Sequence, residues 1–252
     1  MYEIDRVLAR SFEHVISTRP RTLKSLKTNP LSGRLISNYN DVLLAVNEVY
    51  SKPFTPRIIK NHSRISRKDI DVLRGEVAKK IYNYFNREPN TLNNQANFDL
   101  FHNNLVKYFC SGLNALARRY GASVIEYGQG QKLINMVFKY LACYSDYSRY
   151  ADLFSYCHIP IDSIVLQELG RLGVPHISIS KKQYKGLSWS KLRDRDYLDL
   201  VNDYRTILHS MINPNLCWLS VDFIVWNAVI TGIPIVFPMT GTSVITIHSF
   251  YS

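Results

Sequence analysis

Apolar positions recur at helical spacing along most of the chain, separated by polar or proline-containing breaks. Residues 1–18 put Ile4, Val7, Leu8, Phe12, Val15 and Ile16 on one side before Arg19-Pro20 ends the run. Ser37 to Tyr50 repeats the pattern through Val42, Leu43, Val46 and Val49, and Pro53 and Pro56 break it. A helix over 68–85 follows, with Asp69 near its start, where the helix dipole favours an acid. From Phe98 to Tyr120 the apolar set is Leu100, Phe101, Leu105, Phe109, Leu113 and Leu116, and Arg118-Arg119-Tyr120-Gly121 supplies a basic last turn and a glycine stop. Tyr197, Leu200, Val201, Tyr204, Ile207 and Leu208 mark a further helix, and Ser220 to Val229 the last one. The tail from Thr231 is rich in Val, Ile, Thr and Phe and reads as extended or β. The pattern predicts a mainly α protein.

One stretch stands out within this pattern. Glu126-Tyr-Gly-Gln-Gly-Gln-Lys-Leu-Ile-Asn-Met-Val-Phe-Lys-Tyr140 places a Gly-x-Gly directly before an apolar-periodic helix. Two glycines one residue apart predict a sharp turn with positive φ, and a helix opened by Lys132 whose free first amides suit a phosphate. Leu133, Val137, Tyr140 and Leu141 form a core face, while Lys132, Met136 and Lys139 form a second stripe. Tyr144 to Arg149 reads as a polar connection, and Asp162 before Ser-Ile-Val-Leu as an N-cap.

Charge and composition narrow the function classes. Lys and Arg number 31 against 20 Asp and Glu, a formal +11, with 17 Tyr and 11 Phe interleaved, which points to a polyanionic partner. Arg19 to Arg34 and Arg57 to Lys68 are basic stretches, both without any acid. The four cysteines, Cys110, Cys143, Cys157 and Cys217, show no CxxC pair, so neither a metal site nor any other cofactor is expected. No apolar run reaches the roughly 20 residues of a membrane span. Met1-Tyr-Glu-Ile-Asp-Arg carries both signs of charge, and the expectation is a cytoplasmic protein with reduced thiols.

Gly128-Gln-Gly130-Gln-Lys132-Leu-Ile-Asn135 resembles the hairpin of the helix-hairpin-helix DNA glycosylases, whose usual form reads Leu-Pro-Gly-Val-Gly-Arg-Lys-Thr-Ala-Asn. His158-Ile-Pro-Ile-Asp162-Ser-Ile-Val-Leu-Gln-Glu-Leu-Gly-Arg-Leu-Gly173 is similar to that superfamily's Pro-Val-Asp-Thr-His-Val-x-Arg-Val-Leu-x-Arg-Leu-Gly run, in the same order. The 30-residue separation of Lys132 and Asp162 and the pair Asp222 and Trp226 resemble the archaeal 8-oxoguanine type most. The chain departs from the family in lacking Leu-Pro before Gly128 and in having Met136 where an aromatic residue is expected. The resemblance spans Phe98 to Trp226.

It implies a two-lobed helical helix-hairpin-helix DNA glycosylase fold, with an N-terminal helical region over 1–97, a catalytic region over 98–230 and a tail over 231–252 of no assigned role. It further implies that Lys132 and Asp162 are catalytic, that Met136, Lys139, Asp222 and Trp226 line or support a base pocket, and that Gly128, Gly130 and Gln131 bind DNA phosphate. The implied partner is double-stranded DNA carrying a modified base, bound by a monomer. The base would be 8-oxoguanine, in repair, or a bulky phage-modified cytosine such as glucosyl-hydroxymethylcytosine, in antiviral defence. Base removal would leave an abasic site, with lysine-dependent strand cleavage as a second activity. The alternative is a helix-hairpin-helix module that binds DNA without catalysis.

Overall fold

The computed structural model describes residues 38–51, 62–87, 94–144, 147–163, 165–166, 188–211, 219, 222, 235–238 and 244–247. Helix α1, Tyr39–Ser51, starts where the Asn38 carboxamide accepts the Asn40 amide at 2.9 Å, and Val42, Ala45, Val46, Val49 and Tyr50 form its buried side. A 3₁₀ turn, His62–Arg64, leads into α2, Arg67–Phe85. Ile70, Leu73, Val77, Ile81, Tyr84 and Phe85 keep one face of α2 apolar. These two helices pack against each other.

Helix α3, Gln95–Tyr120, opens three residues earlier than its apolar spacing suggests, because the Asn94 side chain accepts the Asn97 amide at 2.9 Å and caps the first turn. Gly121 ends it at φ 65°, the one left-handed glycine among the described residues. Phe98, His102, Leu105, Val106, Phe109, Cys110, Leu113 and Ala117 are its buried residues, whereas Leu100 is 60% exposed. The expected boundary between 97 and 98 falls inside this helix.

Helix α4, Tyr127–Tyr144, is the centre of the described structure, with α1, α3, the 3₁₀ turn Trp189–Lys191 and two further helices, α5 at Tyr147–Ser155 and α6 at Asp194–Met211, packed around it. Between Tyr127 and Ala142 only Gln129, Lys132 and Met136 are not fully buried. Helix α5, Tyr147–Ser155, begins inside the Tyr144 to Arg149 segment read as a connection, and its buried Tyr150, Leu153 and Phe154 lie at i, i+3 and i+4. Helix α6, Asp194–Met211, has Asp194 and Asp196 in its first turn and buries Tyr197, Leu200, Val201 and Tyr204. Strands β1, Ile235–Pro238, and β2, Val244–Ile247, pair antiparallel, Ile235 opposite Ile247, in the tail that reads as β.

Aromatic side chains fill the junction of α2, α3, α4 and α5. Phe98 meets Phe138 edge-on at 5.5 Å between centroids, and Phe85 lies 5.3 Å from Phe154. One apolar core runs from Val42 to Leu219. The architecture is mainly α-helical. No helix among the described residues is long and apolar enough to cross a membrane. The expected helix over 1–18, the basic stretch from Arg19 to Arg34 and Trp226 lie outside the described residues.

Candidate functional site

The site is built around the second turn of α4 and the buried strand-like segment 157–162 that passes beside it. Such a segment can be buried only if its backbone polar groups find partners. Two carboxamides on α4 supply them. Gln131, fully buried, donates from Nε2 to the Ile161 carbonyl at 2.7 Å and accepts the Ile161 amide on Oε1 at 3.3 Å. One turn on, Asn135 Nδ2 reaches the Ile159 carbonyl at 3.0 Å, Gln131 Oε1 at 2.9 Å and the Tyr197 hydroxyl at 2.9 Å. Asn114 of α3 clamps the other flank in the same way, pairing with both the amide and the carbonyl of Ile125 at 2.7 and 2.9 Å.

This frame sets Asp162 opposite Lys132. Lys132 Nζ donates to Asp162 Oδ2 at 3.0 Å, while Asp162 Oδ1 accepts the Val165 amide at 3.1 Å and caps the helical turn that starts at Ser163. One carboxylate oxygen therefore holds the backbone and the other faces the amine. The lysine side chain is 17% exposed and the aspartate 5%, so the pair is largely withdrawn from solvent while the amine keeps some access to it. The Trp189 ring, half-buried, lies 4.8 Å from Lys132 Nζ, a cation–π contact on the other side of the amine.

A second ion pair lies deeper. Lys139 and Asp222 meet at 2.5 Å with both side chains fully buried. Burial pushes the Asp222 carboxyl up, Lys139 opposes that rise, and the charges of Asp162 and Lys132 also act on it, so the four residues form one electrostatic cluster. Burial likewise drives the Tyr204 phenol well above its usual range, with Asp222 adding to the effect. Breaking such a buried pair from one side leaves an uncompensated charge, so Asp222→Asn is expected to cost about 3–5 kcal/mol. Chemical denaturation of the variant checks this, and a change under 1 kcal/mol would contradict it.

Behind segment 157–162 is a polar network that the periodicity of the sequence does not reveal. His158 bridges the Tyr197 hydroxyl at 2.9 Å and Asp99 at 2.8 Å, and Arg205 grips both Asp99 oxygens at 2.6 and 2.7 Å. The His102 ring lies 4.2 Å from that of His158, tilted by 40°, and bonds Asn135 Oδ1 at 2.7 Å. Burial, resisted by the bond to Asp99, lowers His158 to about 4, and burial takes His102 well below its usual value. Burial would raise Asp99, but the bonds from His158 and Arg205 outweigh it and hold that carboxyl well below the usual range. These contacts tie the backbone carrying Asp162 to α3, α4 and α6.

The glycines act otherwise than the sequence suggests. The helix begins at Tyr127, so Lys132 lies in its second turn, and Gly128 and Gly130 are helical without positive φ. The Gly128 amide donates to the Leu192 carbonyl at 2.8 Å and the Gly130 amide to the Glu126 carbonyl at 3.2 Å. Gln131 is buried against Ile161. None of the three presents the expected phosphate-binding group. Close packing explains the glycines instead, because a Cβ on Gly128 would fall 2.0 Å from the Trp189 carbonyl oxygen and one on Gly130 2.2 Å from Cys110 Sγ. Burial, reinforced by Glu126, pushes the Cys110 thiol up to about 12.

Gly128→Ala is therefore expected to push the Trp189 turn away, destabilise the fold by about 1–3 kcal/mol and lower Tm by roughly 2–4 °C for each kcal/mol. Gly75→Ala on α2 is the control, since its Cβ would meet only the Tyr39 hydroxyl at an ordinary 3.4 Å. A thermal melt that ranks the two variants equal would refute the packing role.

Of the residues singled out by sequence, the structure brings together Lys132, Asp162, Lys139 and Asp222, and leaves Met136 half-buried on the open strip one turn beyond Lys132. Trp226 is not among the described residues. Trp189 and the Gln131 clamp escaped notice, and the only hint of the former is a lone tryptophan between serines after a glycine and leucine. No group of three His, Cys, Asp or Glu among the described residues is placed to hold a metal ion. Compared with models of protein families, with characterised proteins and with solved structures, the chain has no significant match.

Proposed function

We propose that the protein is a DNA N-glycosylase acting on a modified base in duplex DNA. The observation that carries this reading is the Lys132–Asp162 pair at 3.0 Å, set on the open strip of an otherwise buried helix with an aromatic ring beside the amine. Base removal requires a nucleotide turned out of the stack, a surface to receive it and charges placed at C1′. Trp189 and Met136 offer the apolar surface, and Lys132 and Asp162 the charges.

In this scheme, the Lys132 ammonium passes one proton to the departing base. Its nitrogen lone pair forms a bond to C1′, and the C1′–N bond breaks, its electron pair leaving with the base, which takes that proton. Asp162 stabilises the positive charge that develops on the sugar, and because its Oδ1 is fixed by the Val165 amide it needs no reorganisation to do so. Opening of the sugar ring then gives a Schiff base with Lys132, from which the 3′ phosphate leaves by β-elimination. The buried Lys139–Asp222 pair supports the site from below and does not itself reach solvent.

The two-lobed helix-hairpin-helix arrangement belongs to the same proposal, with α3, the connection from Gly121 to Glu126 and α4 in the place of the motif. The proposed base is 8-oxoguanine or a bulky glucosylated hydroxymethylcytosine. Incubation with duplexes carrying each base, followed by alkali and a denaturing gel, tests the reading. Cleavage at the modified position of one duplex is expected. Tight binding with no cleavage of any would favour the non-catalytic DNA-binding module instead.

A further inference from the structure

Three separate segments bring exposed cations to one end of the molecule. Arg64 comes from the 3₁₀ turn before α2, Arg67 and Lys68 from the first turn of α2, and Arg118 and Arg119 from the last turn of α3. Asp69 draws them together, accepting the Tyr120 hydroxyl at 2.7 Å and facing Arg119 at 3.6 Å. The Arg64 guanidinium lies close enough to Gly121 that a Cβ there would be 3.6 Å from it. Arg67 faces Asp71 at 4.0 Å. The side chains of Arg67 and Arg119 are 93% and 69% exposed, so these pairs are held in water and contribute little to stability.

Five cations thus surround two acids, and the dipole at the end of α3 accounts for Arg118 and Arg119 only. It gives no reason to gather Arg64, Arg67 and Lys68 beside them, for the start of α2 disfavours positive charge. We infer that this patch is a docking surface for the phosphodiester backbone of duplex DNA, outside the Lys132 site. Four of the five are arginines, whose planar forks match phosphate oxygens two at a time.

The position suits a shared duplex. The connection from Gly121 to Glu126 is six residues long, and Lys132 lies five residues into α4. At most about 3.5 Å per connecting residue and about 1.5 Å per helical residue put Gly121, which adjoins Arg118 and Arg119, within about 30 Å of Lys132, less than one turn of duplex. The inference rests on the DNA-directed part of the proposed function and not on base excision.

The test is binding of a labelled, unmodified 20-base-pair duplex across a salt series, comparing the parent protein with Arg118→Gln/Arg119→Gln and, separately, Arg64→Gln/Arg67→Gln. Each double variant should bind less tightly, and the slope of log affinity against log salt should fall by about 1.8, roughly 0.9 for each lost phosphate contact. Lys79→Gln/Lys80→Gln, equal in charge and exposed elsewhere on α2, should keep the parent slope. Unchanged slopes in the patch variants, or the same fall in the control, would overturn the inference. So would retained duplex binding with loss of binding to vesicles of anionic phospholipid, which would make the surface a membrane contact. If the slopes fall as expected while no modified base is ever released, the docking surface stands and the glycosylase reading fails.

Discussion

Asp162→Asn is expected to slow base release by about 10²–10³-fold, the usual cost of removing one preorganised charged group from a reaction centre. The substitution keeps the size of the side chain and an oxygen able to accept the Val165 amide, so the cap now made at 3.1 Å persists. What disappears is the negative charge 3.0 Å from Lys132 Nζ. A purely structural aspartate would tolerate the change almost silently, because Asn and Asp cap helices comparably well. On the proposed glycosylase reading, single-turnover rates on the modified-base duplexes separate the two cases. Full activity of the variant, with an unchanged melt, would remove Asp162 from the chemistry.

Acid should destabilise the protein through His158 before Asp99 is protonated. Burial keeps this histidine neutral in the folded protein down to about 4, against an ordinary 6.5. In that interval the unfolded chain binds a proton that the native state refuses, so stability is complete above pH 6.5 and declines as pH falls toward 4. The difference amounts to about 2 kcal/mol between pH 7 and pH 5, and His102, shifted in the same direction, adds to it. Asp99 is still charged in this window, since its carboxyl is held well below the usual range, and its own contribution is lost only at lower pH. Because the network supports segment 157–162, DNA cleavage should fall with the denaturation midpoint. A midpoint that is flat from pH 7 to pH 5 would show that His158 is not held neutral.

The elements legible in the sequence are those whose signal is local. Arg118-Arg119-Tyr120-Gly121 ends α3 where the basic turn and glycine place the stop, and the faces of α1 and α2 follow their apolar spacing. The Asn94 cap was present in the sequence but lay in a run of asparagines that reads as loop. Helix α5 is not legible because its nine residues carry only one apolar triad, Tyr150, Leu153 and Phe154. At the site, the proximity of Lys132 and Asp162 followed from the resemblance and not from periodicity. The roles of Gly128, Gly130 and Gln131 depend on what packs against them, namely the Trp189 turn, Cys110 and Ile161, which are distant in sequence. Lys139 illustrates the same limit. Periodicity only sets it on a second stripe of α4 with Lys132 and Met136, its place at a base pocket comes from the resemblance, and only the contact with Asp222 makes a fully buried lysine tolerable.

The most direct measurement of the chemistry is borohydride trapping. A nucleophilic lysine at C1′ passes through a Schiff base, and reduction at that moment joins protein to DNA irreversibly. Incubation of the parent protein with a cleavable duplex and borohydride should give a covalent complex whose cross-linked peptide maps to Lys132, and Lys132→Gln should give none while binding the duplex within a small factor of the parent. A trapped complex that maps to another lysine, or one that survives Lys132→Gln, would contradict the assignment.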